Sequence, residues 1–204
     1  MTAEAQNTLL KTLEEPPEYV VFIIIVPSVQ NLLPTVVSRA EVISFTPVSS
    51  ERIREYIKSQ YPHETDRLDF LVRSSSGIPG EVDKIIADKD FEAMRNQALE
   101  YLPKLISGKS SCAFEVSDFA VKNAERINEI IDIWISYIRD ITAIHCGAAD
   151  KIINSDKADI LRGMCSEIDT KRCMSAVEKL IESKNMLQKS VKLSAVMLRC
   201  VLCL

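Results

Sequence analysis

The first 46 residues combine one helical pattern with two short apolar runs. Residues 2–15 carry leucines at helical spacing behind Thr2, a residue type that caps helix N-termini. Pro16 and its following proline predict an abrupt end to that helix. Residues 20–26 form a continuous, mostly β-branched run, which is typical of a strand buried on both faces. Residues 41–46 alternate weakly and predict a second strand.

Only helical periodicity follows residue 47. Amphipathic segments at 51–61, 66–74 and 81–87 predict a small three-helix unit. Later apolar stripes predict a helical bundle with helices at 91–106, 114–122, 128–144, 156–164 and 170–202, and a linker at 108–111. The predicted fold is therefore mainly α, with two strands as the remnant of an α/β domain. Since the chain opens on a helix before its first strand, we expect it to be part of a longer protein.

Composition narrows the possible functions. The 204 residues have a net charge of −4 and a pI of about 5.4, which argues against binding nucleic acid by bulk charge alone. The chain has only five glycines, so a glycine-rich nucleotide-binding loop is not expected. No apolar run approaches the roughly 20 residues of a membrane helix, so no membrane partner is expected. Six irregularly spaced cysteines favour reduced thiols in a cytoplasmic protein.

Several candidate chemical sites have simpler interpretations. Cys200 and Cys203 form a lone C-x-x-C without the second ligand pair of a zinc site, so packing is favoured. Gly80 is followed by an anionic glutamate instead of the lysine of a phosphate loop, and a helix-entry turn is favoured there. Glu14 and Glu15 could be paired carboxylates, but their place before two prolines favours a solvated surface or an interface.

Arg39 is the candidate with the most chemical scope. It follows a short helical stretch and precedes the second predicted strand, which places it at the edge of a sheet. A guanidinium stays charged and can bind phosphate oxygens through two parallel hydrogen bonds. By spacing alone, an ordinary surface arginine is still the favoured interpretation.

The sequence around Arg39 resembles that of a known protein family. Residues 1–17, MTAEAQNTLLKTLEEPP, closely resemble the segment M-T-x-x-A-x-N-A-L-L-K-T-L-E-E-P-P of bacterial replicative clamp-loader subunits. The run at 22–26, the Leu-Pro-Thr at 33–35 and Ser38-Arg39 continue that pattern in order and spacing. The match is highly specific over residues 1–46, weaker through the three-helix unit, and limited to class and length in the tail.

The resemblance implies three domains and one site. Residues 1–47 would be the end of an AAA+ ATPase domain, 48–89 a three-helix lid, and 90–204 a helical collar that holds a pentamer together. Arg39 would be an arginine finger acting in trans on the ATP of the adjacent subunit, with Ser38 supporting its loop. Ala40 replaces the cysteine of the family's Ser-Arg-Cys motif, which keeps the charge but alters the loop packing.

Two departures indicate the type of subunit. The stretch Ile25-Val26-Pro27 lacks the polar sensor residue of ATP-binding members, and residues 76–80 lack their sensor arginine. The S-G-x-P-G form at 76–80 is similar to the delta-prime type, a stator that does not hydrolyse ATP. An ATP-hydrolysing tau/gamma-type subunit and a purely structural helical scaffold are the alternatives.

The resemblance also implies partners and location. No cofactor or metal is expected in this chain, while ATP and Mg would be bound by neighbouring subunits. Tau/gamma and delta subunits would be direct partners, and the whole complex would engage the sliding clamp and primed DNA in the bacterial cytoplasm. The chain itself is expected to be inactive, whereas the parent complex would be a DNA-directed DNA polymerase with a clamp-loader ATPase.

Overall fold

The computed structural model describes residues 2–203, which divide into two compact units, the first ending at Thr46 and the second beginning at Pro47. Helices dominate both the element order and the core, so the predicted mainly α fold is confirmed. The finer division into 1–47, 48–89 and 90–204 stays a prediction.

The first unit is built on one helix. Helix α1 spans Ala3–Glu14, and the Thr2 hydroxyl accepts a hydrogen bond of 3.3 Å from the backbone N–H of Ala5. A 3₁₀ turn at Val29–Asn31 leads to the short helix α2 at Pro34–Val37. Helix α1 packs against α2, where Val36 is fully buried.

The two predicted strands are wrong as secondary structure. Neither residues 20–26 nor residues 41–46 belong to a β-ladder; both segments have irregular structure. A strand exists only through backbone bonds to a neighbouring strand, and these two segments do not bond to each other. Their large apolar side chains, among them Ile23, Ile25 and Phe45, are therefore exposed.

The second unit begins with three helices at residues 48–87, which we call the lid after the domain predicted at 48–89. Its helices are α3 at Ser50–Gln60, α4 at Leu68–Ser74 and α5 at Pro79–Ala87. The apolar faces of these helices meet in a small core made by Ile53, Ile57, Phe70, Leu71, Val72 and Val82.

Six further helices at residues 91–202, which we call the collar after the domain predicted at 90–204, complete the second unit. Its helices are α6 at Phe91–Ile106, α7 at Ser110–Lys122, α8 at Ile127–His145, α9 at Ala158–Cys165, α10 at Thr170–Gln188 and α11 at Leu193–Leu202. Helix α8 is central because it packs against α6, α9 and α10. It carries the fully buried Trp134, whose indole N–H donates to the carbonyl of Ala98 at 2.7 Å.

Two collar predictions need correction. The single helix predicted for 170–202 is two helices, because Ser190 has a φ of +61°, which a right-handed helix cannot contain. The break allows α11 to pack against both α10 and α7. Helix α7 also begins at Ser110, so the predicted linker at 108–111 is shorter than expected.

Two arginines join the lid to the collar. Arg95 of α6 is 1% exposed, and its guanidinium carbon lies 3.7 Å from the ring centroid of Phe70 in α4. The same group donates to both carboxylate oxygens of Asp156, at 2.9 and 3.0 Å. Arg73 of α4 donates to two collar carbonyls, those of Asp150 and Ile152, each at 2.6 Å. These contacts tie the lid and collar into one unit.

Within residues 2–203, no helix is long and apolar enough to cross a membrane.

Candidate functional site

Arg39 lies in the turn that ends α2. Its backbone N–H donates to the carbonyl of Val36 at 3.1 Å, and the N–H of Ala40 donates to Val37 at 3.3 Å. Pro34 starts α2 at a position where its missing N–H costs nothing. The tight backbone geometry therefore sets the direction in which the Arg39 side chain leaves the turn. The side chain is 36% exposed.

One edge of the Arg39 guanidinium is held by its own turn. Nη1 donates to the carbonyl of Thr35 at 3.0 Å and to the hydroxyl of Ser38 at 3.2 Å. The Ser38 hydroxyl in turn donates to the same Thr35 carbonyl at 3.1 Å. The structure thus brings together the two residues predicted for this site, with Ser38 supporting Arg39 directly. The role of Arg39 as an arginine finger stays a prediction.

The other edge faces a carboxylate from α1. Nη2 of Arg39 lies 2.6 Å from Oε1 of Glu14, the last residue of that helix. The Glu14 side chain is 51% exposed, so the ion pair is open to solvent. Glu14 is thus both solvated and engaged with Arg39.

A buried glutamine fixes α1 beside the Arg39 turn. The Gln6 carboxamide oxygen accepts from the N–H of Leu33 at 2.7 Å, and its nitrogen donates to the carbonyl of Asn31 at 3.0 Å. Gln6 is 4% exposed although it lies on a helix whose other residues are more open. Both hydrogen bonds connect α1, which ends at Glu14, to the segment that leads into α2 and Arg39.

An apolar groove of about 1020 Å³ lies next to the same turn. Residues of both irregular segments of the first unit line it, and the lining includes Leu13, Phe22, Val36 and Phe45 together with Arg39. The arginine therefore lies at the border between this apolar surface and solvent.

The chemistry available at this turn is that of a single cation. The 204 residues contain no G-x-x-x-x-G-K-[ST] sequence, and within residues 2–203 no group of three or more His, Cys, Asp or Glu side chains is placed to hold a metal ion. Arg39 can supply charge and two parallel N–H donors to an anion that another molecule brings.

The glycine loop of the lid has a structural role. Gly77 has a φ of +81°, and a Cβ at this position would lie 2.5 Å from the carbonyl oxygen of Val48. Its own carbonyl accepts a hydrogen bond of 2.8 Å from the N–H of Val48. Pro79 then starts α5, which agrees with the predicted helix-entry turn. The loop holds the entrance of the lid.

Sequence reasoning missed Gln6 as a brace and the pairing of Glu14 with Arg39. Their partners lie 25 to 27 residues away in the chain, and no periodicity links such positions. The packing predicted for the C-x-x-C pair, Cys200 and Cys203, holds for one of the two cysteines. Cys200 packs in the core as predicted, whereas Cys203 follows the end of α11 and is exposed.

Comparisons with known proteins agree on one family. Residues 1–49 match the family described as DNA polymerase III, delta subunit, and residues 89–197 match DNA polymerase III, delta subunit, C terminal. The chain is similar to DNA polymerase III subunit delta' of Bacillus subtilis (strain 168), with 25% identity over 211 residues. That alignment covers all of this chain and 62% of the relative.

Proposed function

This chain belongs to the DNA polymerase III delta subunit family, and we propose that it acts as a delta-prime-type stator of the clamp loader. In this role Arg39 reaches the ATP bound by a neighbouring subunit, and the helical collar joins the chain to the other subunits. The observation that carries the proposal is the Arg39 turn, where Ser38 and Thr35 hold one edge of a solvent-accessible guanidinium.

The geometry supports action in trans. Arg39 is 36% exposed, so an anion that a neighbouring subunit brings can reach its guanidinium. A guanidinium that reaches the phosphates on a neighbouring subunit stabilises the negative charge of the transition state for phosphoryl transfer. Such a group raises the rate constant by a factor of about 10³–10⁵. ATP and Mg would accordingly be bound by neighbouring subunits.

A stator role is favoured over a motor role. The lid loop at 76–80 carries no arginine that could sense a bound nucleotide. The nearest one before it, Arg73, donates to the collar carbonyls of Asp150 and Ile152. A lid tied to the collar in this way suits a rigid subunit against which others move. The chain alone should therefore not hydrolyse ATP.

The collar would supply the assembly surface. The apolar face of its long central helix α8 is buried against α6, α9 and α10, so we expect partner contacts mainly on the outer helices. The partners would be tau/gamma and delta subunits, and the complex as a whole would act on the sliding clamp and primed DNA in the bacterial cytoplasm.

ATP hydrolysis by the reconstituted clamp loader tests the proposal. Arg39→Ala is compared with Arg54→Ala, a matched control because Arg54 is 41% exposed and forms a surface ion pair of 2.7 Å with Asp69. We expect Arg39→Ala to lower the rate of DNA-stimulated ATP hydrolysis at least tenfold, since an arginine supplied in trans contributes a factor of about 10³–10⁵ to such rates. Assembly of the complex should remain intact. Arg54→Ala should behave as wild type.

Two results would decide against the proposal. Equal ATPase rates in both variants would leave the chain as a structural scaffold with an incidental arginine. ATP turnover by the purified chain would instead point to a motor subunit.

A further inference from the structure

The ion pair between Arg39 and Glu14 occupies one of the N–H donors that a phosphate at the guanidinium tip would use. Nη1 is bonded to the Arg39 turn, and Nη2 is bonded to Glu14 at 2.6 Å. A phosphate that approaches the guanidinium tip therefore meets a carboxylate already there. The two anions compete for the same N–H donors and repel each other.

The position of Glu14 is built into the first unit. It is the last residue of α1, and α1 is fixed to the segment before α2 by the buried Gln6. Glu14 thus stays within reach of Arg39 without any contact from another chain. Since both side chains are substantially exposed, at 36% and 51%, the pair can also open without burying a charge.

We infer that Glu14 is a positioning residue, a counter-ion that holds Arg39 aside until a phosphate of the neighbouring nucleotide displaces it. The inference rests on the proposed function of Arg39. The ion pair with Glu14 restricts the Arg39 side chain to fewer rotamers than an unpaired surface arginine would sample. It also sets a threshold for engagement, because the phosphate must outcompete the carboxylate.

The exposure of the pair sets the size of the effect. Solvent-exposed ion pairs contribute little, and the measured range corresponds to about a two- to fivefold change in an equilibrium constant at its upper end. Salt screens such pairs, so the contribution of Glu14 decreases as ionic strength rises.

The test uses the reconstituted clamp loader and the ATP concentration that gives half-maximal DNA-stimulated hydrolysis. Glu14→Gln removes the charge and keeps the shape, while Glu15→Gln makes the same change at an exposed neighbour that forms no ion pair with Arg39 in the described structure. We expect Glu14→Gln to lower the half-maximal ATP concentration about two- to fivefold at low salt. The difference should shrink as potassium chloride is added, and Glu15→Gln should match wild type.

The double variant separates this inference from the proposed function. Glu14→Gln in an Arg39→Ala background should have no further effect, because Glu14 acts only through Arg39. If Arg39→Ala impairs hydrolysis but Glu14→Gln leaves or raises the half-maximal ATP concentration, the counter-ion role is overturned and the finger role stands. If Arg39→Ala is normal, both are overturned. Glu14→Ala provides a second variant with the same expected direction.

Discussion

The carboxamide of Gln6 accepts a hydrogen bond of 2.7 Å from the backbone N–H of Leu33, one residue before helix α2. Through its other end it donates to the carbonyl of Asn31. One buried side chain thereby connects α1 to the segment that carries Arg39. Since α1 ends at Glu14 and the connected segment leads to Arg39, we expect the spacing between these two residues to depend on this connection.

Replacement of Gln6 should loosen the first unit. In Gln6→Ala the N–H of Leu33 loses its acceptor, and leaving such a group unpaired costs about 1–3 kcal/mol. Hydrogen exchange at the Leu33 amide should report a reduction of that size in the local opening free energy. Asn7→Ala, an exposed neighbour on the same helix, is the control and should leave Leu33 protection unchanged. Equal protection in both variants would show that Gln6 is not a brace.

Arg95 should be the most sensitive charged position of the second unit. Arg95→Met leaves Asp156 and Asn154 without their partner in a largely buried setting, and breaking such a pair costs about 3–5 kcal/mol. Urea unfolding followed by the fluorescence of Trp134, the single tryptophan, measures the loss. Arg162→Met removes an exposed ion pair with Asp159 and should change stability by less than about 0.5 kcal/mol. A similar loss in both variants would contradict this prediction.

Asp83 should govern the alkaline titration of the lid. Its Oδ1 accepts hydrogen bonds from the hydroxyls of Tyr56 and Tyr61, at 2.8 and 2.9 Å. These bonds, with burial and the charge of Asp83, raise the pKa of Tyr56 from 10.0 to about 12 and raise the pKa of Tyr61. Because the pKa is raised in the folded state, the stabilisation is complete below about pH 10 and is lost as pH rises through about 12.

Tyrosinate absorbance during a pH titration checks this. Asp83→Asn removes the charge that disfavours tyrosinate, so the pKa of Tyr56 should fall toward its ordinary value. Asp69→Asn makes the same charge change at an exposed site of the lid and serves as the control. The prediction is contradicted if Asp83→Asn and Asp69→Asn titrate alike.

The outer face of α7 should contribute to assembly. Phe114 and Val121 are both exposed and lie seven residues apart, so they share one face of the helix. Phe114→Glu should preserve helicity and thermal stability while weakening the binding of the chain to its partner subunits, by about tenfold if Phe114 is a central contact. Ile160→Glu, at an isolated exposed position on α9, is the control. If Phe114→Glu assembles as well as wild type, the prediction is contradicted and the outer face of α7 is not the interface.

Local signals predicted the elements better than the contacts between them. Thr2 and Pro16 bound α1 as expected because capping and the missing proline N–H act within a few residues. The break at Ser190 was missed because neither glycine nor proline marks it, and packing of α11 onto α7 determines it. The strand prediction for residues 20–26 is wrong because an apolar, β-branched run forms a strand only when a neighbouring strand pairs with it.

The candidate site was predicted only in part. Arg39 and Ser38 are adjacent in sequence and lie in one turn, so a motif could identify both. Glu14 and Gln6 reach that turn from α1, and such long-range pairs leave no periodic trace. Glu14 was visible only as one of two carboxylates before a pair of prolines, which is ordinary for a helix end.

In the proposed function, Arg39 contacts the terminal phosphate of a nucleotide on the neighbouring subunit. The most direct measurement is the affinity of the reconstituted clamp loader for a non-hydrolysable ATP analogue and for ADP, in wild type and Arg39→Ala. Loss of hydrogen bonds from a charged group should weaken binding of the analogue at one site about ten- to hundredfold. ADP, which lacks the terminal phosphate, should bind equally to both. Equal affinity for the analogue in wild type and Arg39→Ala would contradict the claim.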